Sequence, residues 1–231
     1  GATSTGTHGT GKELGGISTQ IVAFALMTAN GEVLECSPTQ NAHIYEAGRV
    51  ALGSFWVLIR LTLQLTDAYK LQYVTDKTTI DKALAALDKD LVENRNVEYY
   101  WFPYTDTLQS KLSNISNAPV QDSPIKKYIN QQIIENNALA LLCGIGKNVP
   151  SSYQRVNKFM AWAIGKETRI NYSHLIYASV RKVKFKEMEY NIPAEHFPEV
   201  LKRVKEKMDK EQYKVFFPVE CRWTKADDIW L

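Results

Sequence analysis

The stretch Ile21-Val-Ala-Phe-Ala-Leu-Met-Thr-Ala-Asn-Gly-Glu-Val-Leu-Glu-Cys36 decides the fold class. Asn30-Gly31 stands between two apolar runs. This is the strongest short-range signal for a hairpin, because both residues tolerate the positive φ of a tight turn. Working outward, residues 41–51 predict a short helix. Residues 54–65 are dominated by β-formers and read as a largely buried strand. A boundary falls near residue 67. Beyond it Leu71 to Val74 predicts a short strand. Ile80, Leu84, Leu87 and Leu91 recur at helical spacing, giving an amphipathic helix over 78–93. Val97 to Tyr104 is an aromatic-rich strand that Pro103 closes, and the polar residues 105–124 predict a loop. Helices follow at 125–143 and 152–164. Val180 to Ile192 reads as a strand with a bulge near Lys186-Glu187, where the apolar phase changes. Phe197, Val200, Leu201, Val204 and Met208 form one helix face, and Tyr213 to Trp223 is the last strand. Hairpins mixed with helices predict an α+β fold rather than a doubly wound parallel sheet.

Composition excludes several function classes. The 231 residues are 45% hydrophobic and 23% charged, an ordinary globular balance. With 28 Lys+Arg against 25 Asp+Glu, the net charge of +3 is too even for a dedicated nucleic-acid binder. The longest apolar run, Ile21 to Met27, is too short to span a bilayer. Cys36, Cys143 and Cys221 are odd in number and far apart, with no CxxC or Cys/His cluster. Neither a metal site nor a disulfide framework is indicated, and a reducing cytoplasmic setting fits. Peripheral association with a membrane stays open.

Two segments carry candidate chemistry. Gly6-Thr-His-Gly-Thr-Gly11-Lys12 matches the skeleton of a phosphate-binding loop, G-x4-G-K. Glu13 stands where that loop needs Ser or Thr for Mg²⁺, and residues 17–27 read as strand where it needs a helix. A flexible linker is one alternative. Another is a binding loop, in which the hydroxyls of Thr3, Ser4, Thr5, Thr7 and Thr10, with His8 and the glycines, meet a diphosphate or a polar ring edge. In the last strand, side chains alternate between faces. Val215, Phe217, Val219, Cys221 and Trp223 form a core face. Glu220 and Arg222 share the other face, roughly 7 Å apart by strand rise. Such a pair is routine on a solvated strand. It also offers an acceptor and a donor fork to a polyol. His43, His174 and His196 are isolated, and Trp101 reads as a core aromatic rather than a ligand platform.

The Gly1–Gly11 segment, Gly16-Ile-Ser-Thr-Gln-Ile-Val22 and the Asn30-Gly31 hairpin resemble the vanillyl-alcohol-oxidase-type FAD domain. Within it the chain is similar to the sugar-1,4-lactone oxidases and alditol oxidases. Tyr99-Tyr-Trp-Phe-Pro-Tyr-Thr-Asp106, Glu187-Met-Glu-Tyr-Asn-Ile-Pro193 and Phe217-Pro-Val-Glu-Cys-Arg-Trp-Thr-Lys-Ala-Asp-Asp-Ile-Trp-Leu231 fit the same group. The resemblance implies that residues 1–67 are the C-terminal part of an FAD-binding domain. Residues 68–231 would then be a substrate domain of mixed antiparallel sheet and helices. It implies that Gly1, Thr5, Gly6, Thr7 and His8 lie against FAD, that the backbone of Val57 and Leu58 touches its adenine end, and that Glu220 and Arg222 face the substrate. Trp56 and Ile59 depart from the family's usual Gly and Thr. The family's N-terminal diphosphate-binding subdomain and its C-terminal His-Trp-x-Lys segment have no counterpart, so the chain is expected to be a fragment. The activity implied is FAD-dependent oxidation of a carbinol of an aldono-1,4-lactone, D-arabinono-1,4-lactone oxidase-like, or of an alditol. Electrons would pass to O₂ or another acceptor. The alternatives are a scaffold half without turnover and a nucleotide-binding phosphate loop.

Overall fold

The computed structural model describes residues 1–121, 136–178 and 183–230. The chain divides into two units. One is Gly1–Asp67 together with Thr224–Leu231, and the other is Ala68–Trp223. The segment from Thr224 onward, expected with the second domain, therefore groups with the first unit.

In the first unit, β1 (Ile21–Met27), β2 (Val33–Cys36) and β3 (Val57–Leu63) form an antiparallel sheet in the order β2-β1-β3. The hairpin turn runs from Thr28 to Glu32, whose backbone groups bond at 2.9 Å. Gly31 supplies its positive φ of 83°. Phe24, Leu26 and Cys36 are buried with Tyr45 of α1 (Ala42–Gly48). The Tyr45 hydroxyl donates to the Ile21 carbonyl at 2.6 Å. Gly48 lies against the Phe24 ring, where any Cβ would overlap it. The expectation of a largely buried strand at 54–65 is overturned. β3 is an edge strand bonded on one side, with Val57 65% and Ile59 49% exposed. A run of β-formers shows that a segment pairs, but not how many neighbours cover it.

Backbone bonds and one ion pair tie the C-terminal segment to this unit. Lys225 N–H donates to the Leu14 carbonyl at 3.0 Å, Thr224 bridges Gly11, and Arg49 meets Asp228 at 3.5 Å.

The second unit is built on a five-stranded antiparallel sheet. Its strands are β4 (Lys70–Thr79), β5 (Asn96–Trp101), β6 (Thr107–Ile115), β7 (Glu167–Tyr172) and β8 (Val219–Arg222), in the order β7-β4-β6-β5-β8. The amphipathic α2 (Ile80–Glu93) starts where the Thr79 side chain caps the Lys82 N–H. Then come α3 (Asn136–Asn148), α4 (Tyr153–Ala163), α5 (Ser173–Tyr177) and α6 (Phe197–Glu211). One sheet face is apolar. Val97, Tyr99 and Trp101 of β5 and Leu108 of β6 pack with Ile80, Ala83 and Leu87 of α2 and with Phe197, Leu201 and Met208 of α6. Trp223 joins them edge-on, 5.2 Å from Tyr99 and 4.9 Å from Phe197. Trp101 is wholly buried in this core.

Four expectations change here. The loop expected at 105–124 contains β6, which is central in the sheet. Its Leu108 and Leu112 face the core while Gln109, Ser110 and Lys111 fill the positions between. Of the strand expected at 180–192, the described residues 183–192 have no regular structure, and 180–182 lie outside the described residues. Only Val219–Arg222 of the expected strand 213–223 pairs, directly after Pro218, which has no N–H to give a ladder. The helix expected at 125–143 appears as α3, and residues 125–135 lie outside the described residues. β7 and α5 had no counterpart in the sequence reading.

Candidate functional site

The antiparallel register of β5 and β8 builds a polar face opposite the core. Tyr99 pairs with Cys221 and Trp101 with Val219, and these side chains serve the apolar face. The alternate pairs, Glu98 with Arg222 and Tyr100 with Glu220, occupy the other face. On the next strand, Lys111 pairs with Glu98 and Gln109 with Tyr100. A carboxylate, a phenol, an ammonium and a guanidinium thus converge from three strands.

Short contacts link these groups. Arg222 Nε lies 3.5 Å from Glu220 Oε1, and Arg222 Nη2 donates to Glu189 Oε2 at 2.9 Å. Glu189 belongs to the irregular segment that follows residue 183. Tyr100 stands directly across from Glu220 in the β5–β8 register. Lys111 Nζ stands over the Tyr100 ring, 3.4 Å from its centroid.

Burial and charge set the protonation of this face. Burial raises the Glu98 carboxyl, Lys111 lowers it, Glu220 raises it and Arg222 lowers it; the net shift is upward. Tyr100 is raised by burial and by the nearby Glu98 and Glu220 carboxylates, so it stays protonated. On the core side, burial pushes the Cys221 thiol up to about 12, which keeps it protonated and unreactive. Chemically, the face offers carboxylate acceptors beside guanidinium donors, the complement of a polyhydroxylated ligand.

The structure brings the sequence-predicted pair Glu220 and Arg222 into direct contact. Glu98, Tyr100, Lys111 and Glu189 were not anticipated. The alternation Val97-Glu98-Tyr99-Tyr100-Trp101 already separates a core set from a polar set. Nothing local, however, says that β5 pairs with β8.

The second group of candidates lies in the first unit. Gly1 to Thr10 is ordered by a 3₁₀ turn at Ala2–Ser4 and by backbone bonds from Ile17 N–H to Thr7 and from Leu52 N–H to Ser4. Gly6 has a φ of +67°, and there is open space where a Cβ would project from Gly1, Gly6 and Gly9. The Thr5 and Thr7 hydroxyls bond each other at 3.2 Å, and His8 Nδ1 lies 2.9 Å from the Gly9 carbonyl. A glycine-lined backbone flanked by hydroxyls fits close approach by a polar, phosphate-bearing cofactor. The phosphate-loop alternative fails on geometry: a 3₁₀ turn at Ile17–Gln20 and then β1 follow Lys12, where that motif needs a helix. Val57 and Leu58 begin β3, opposite Met27 and Leu26. Beside them the Nε1 of Trp56 is buried without a hydrogen-bond partner.

Among the described residues, no group of three or more His, Cys, Asp or Glu gathers to hold a metal ion. No described helix is long and apolar enough to cross a membrane.

Comparison with known proteins adds the relatives. The chain is 33% identical over 231 residues to an L-gulono-1,4-lactone dehydrogenase of Mycobacterium tuberculosis, covering 100% of this chain and 53% of the relative. It is 32% identical over 234 residues to the L-gulonolactone oxidase of Bos taurus, with the same coverage of 100% and 53%. The chain thus spans about half the length of the curated relatives it matches. Among solved structures, a cholesterol oxidase from Brevibacterium sterolicum superposes with a TM-score of 0.68 at 16% identity, over 96% of this chain and 49% of that one. This likeness bears out the expected α+β fold, shared with that oxidase. The family described as D-arabinono-1,4-lactone oxidase matches residues 61–231, and the chain belongs to that family.

Proposed function

We propose that the protein carrying this chain is an FAD-dependent oxidoreductase that oxidises a carbinol of an aldono-1,4-lactone, or of a related alditol, and passes electrons to O₂ or another acceptor. The observation that carries the reading is the Glu220–Arg222 pair on the polar face of β8, tied through Arg222 to Glu189. Family membership and lactone-named relatives support the substrate class.

Gly1, Thr5, Gly6, Thr7 and His8 would hold FAD by backbone and hydroxyl contacts, with the Val57–Leu58 backbone at its adenine end. Bound FAD supplies hydride acceptance from the carbinol carbon. Glu220 accepts a hydrogen bond from a substrate hydroxyl and fixes the carbon's orientation. Arg222 donates to a second oxygen or to developing negative charge. The three cysteines are free thiols, which supports a reducing cytoplasmic setting. A peripheral membrane contact is compatible with the same reading.

The test is Glu220→Gln in the natural full-length protein. It keeps size but removes the charge and an acceptor, on a face turned away from the core. Anaerobic flavin reduction by a sugar lactone in a stopped-flow instrument should slow roughly 30- to 1,000-fold, with flavin content and melting temperature unchanged. Wild-type reduction rates and substrate affinity would return Glu220 to the status of a solvated surface residue.

A further inference from the structure

We propose that Glu189 is a positioning residue: it holds the Arg222 guanidinium off the Glu220 carboxylate and so keeps Glu220 open to a substrate hydroxyl. The inference rests on the reading of Glu220 and Arg222 as substrate-contacting groups.

The strand itself sets up a competition. Glu220 and Arg222 lie two residues apart on one face of β8, so their side chains are neighbours. Nε and Nη2 form one edge of the planar guanidinium. A single carboxylate at that edge takes both parallel N–H groups. A Glu220 clamped in this way has fewer lone pairs left for a ligand. In the structure the edge is divided instead. Nη2 donates to Glu189 Oε2 at 2.9 Å, whereas Nε stands 3.5 Å from Glu220 Oε1. The second distance is beyond the ~2.7–3.2 Å of a good N–H···O bond. Arg222 is therefore bonded to Glu189 and only loosely paired with Glu220.

Glu189 comes from outside the sheet, on the irregular segment that follows residue 183. Two side-chain contacts dock that segment beside β8. The Phe185 ring lies 4.6 Å from the ring of Phe217, just before β8 begins, and Glu189 then reaches Arg222. An ion pair in full contact with water is worth little. The Arg222 side chain, however, is only 26% exposed. A partly covered guanidinium needs an anionic partner. Without Glu189, the carboxylate already beside it is Glu220.

Stopped-flow flavin reduction in the natural full-length protein tests this, because an Arg222 closed on Glu220 must be displaced when the lactone binds. Glu189→Ala should raise the apparent Kd for the lactone about tenfold, the scale of one hydrogen bond to a charged group. The limiting reduction rate should change less than about threefold, since the substrate, once bound, finds the same groups. Glu189→Gln keeps a neutral acceptor and should fall between. Flavin content and melting temperature should hold. In an Arg222→Met background, Glu189→Ala should move the Kd less than about twofold, because no guanidinium is left to hold. In a crystal structure of Glu189→Ala, Arg222 Nε and Nη2 should both lie about 3 Å from the Glu220 carboxylate. That structure decides the question should the variant lose its flavin. A guanidinium that stays off Glu220, equal Kd shifts in both backgrounds, or a loss confined to the limiting rate would overturn the inference. A wild-type Kd in Glu189→Ala beside an impaired Arg222→Met would overturn it while the site reading stands. Wild-type kinetics in Arg222→Met would remove both.

Discussion

At Glu98 two demands conflict. The residue supplies a negative charge next to Lys111, yet it lies where burial makes that charge costly, and its carboxyl is raised above the ordinary range. The sign of the consequence follows from proton linkage. Unfolded, the group releases its proton near the ordinary glutamate value of about 4.3. Folded, it releases it at higher pH, so between the two values the native state binds more protons and stability falls as pH rises. Glu98→Gln has no proton to lose. Its melting temperature should match wild type near pH 4 and exceed it increasingly as pH rises through the folded value, with a plateau beyond. Thermal melts across pH 4–8 measure this directly. A difference between the two proteins that does not change with pH would mean that the folded and unfolded values of Glu98 coincide.

At the scale of elements, β6 and β3 show opposite errors of reading. β6 looks like a loop because Ser110, Ser113 and Asn114 have poor strand propensity and few apolar residues break the run. Its place between β4 and β5 gives it ladder bonds on both sides, and two leucines anchor it in the core. β3 looks central because it is rich in branched apolar residues, yet it lies at an edge. Hydrogen exchange separates these cases. Amides of residues 108–114 should exchange with the slowest group of the second unit, alongside those of β4, since their opening requires disruption of the whole sheet. Amides of β3 on the side away from β1 should exchange much faster. Rapid exchange throughout 108–114 would contradict the central placement of β6.

For the whole molecule, the first unit is discontinuous in sequence. Thr224–Leu231 contributes the Lys225–Leu14 backbone bond, the Gly11 bridge and the Arg49–Asp228 pair, all within that unit. A variant lacking residues 224–231 should therefore loosen the loop that follows Gly11 and the end of α1 near Arg49, raising their amide exchange by roughly tenfold or more. The five-stranded sheet should keep its protection, because its own core cluster is complete without that segment. Exchange mass spectrometry resolves the two regions. Uniform loosening of both units would show that the segment stabilises the chain as a whole.

The amino-acid sequence by itself determined what depends on local pattern: the hairpin around Asn30-Gly31, the helix after Thr79, the helix face of Phe197, Leu201 and Met208, and the segregation of Glu220 and Arg222 from a core face. Each follows from a period of two or 3.6 residues or from the backbone freedom of one turn. The family-specific segments were legible in the same way, because they are contiguous runs of residues. Only the tertiary structure decided which strands meet. The order β7-β4-β6-β5-β8 joins residues more than a hundred positions apart, and that order alone places Tyr100, Glu98 and Lys111 beside Glu220. Strand pairing is set by the summed burial of a whole sheet face rather than by any one segment. The partners of a site residue therefore stay hidden until the sheet is assembled.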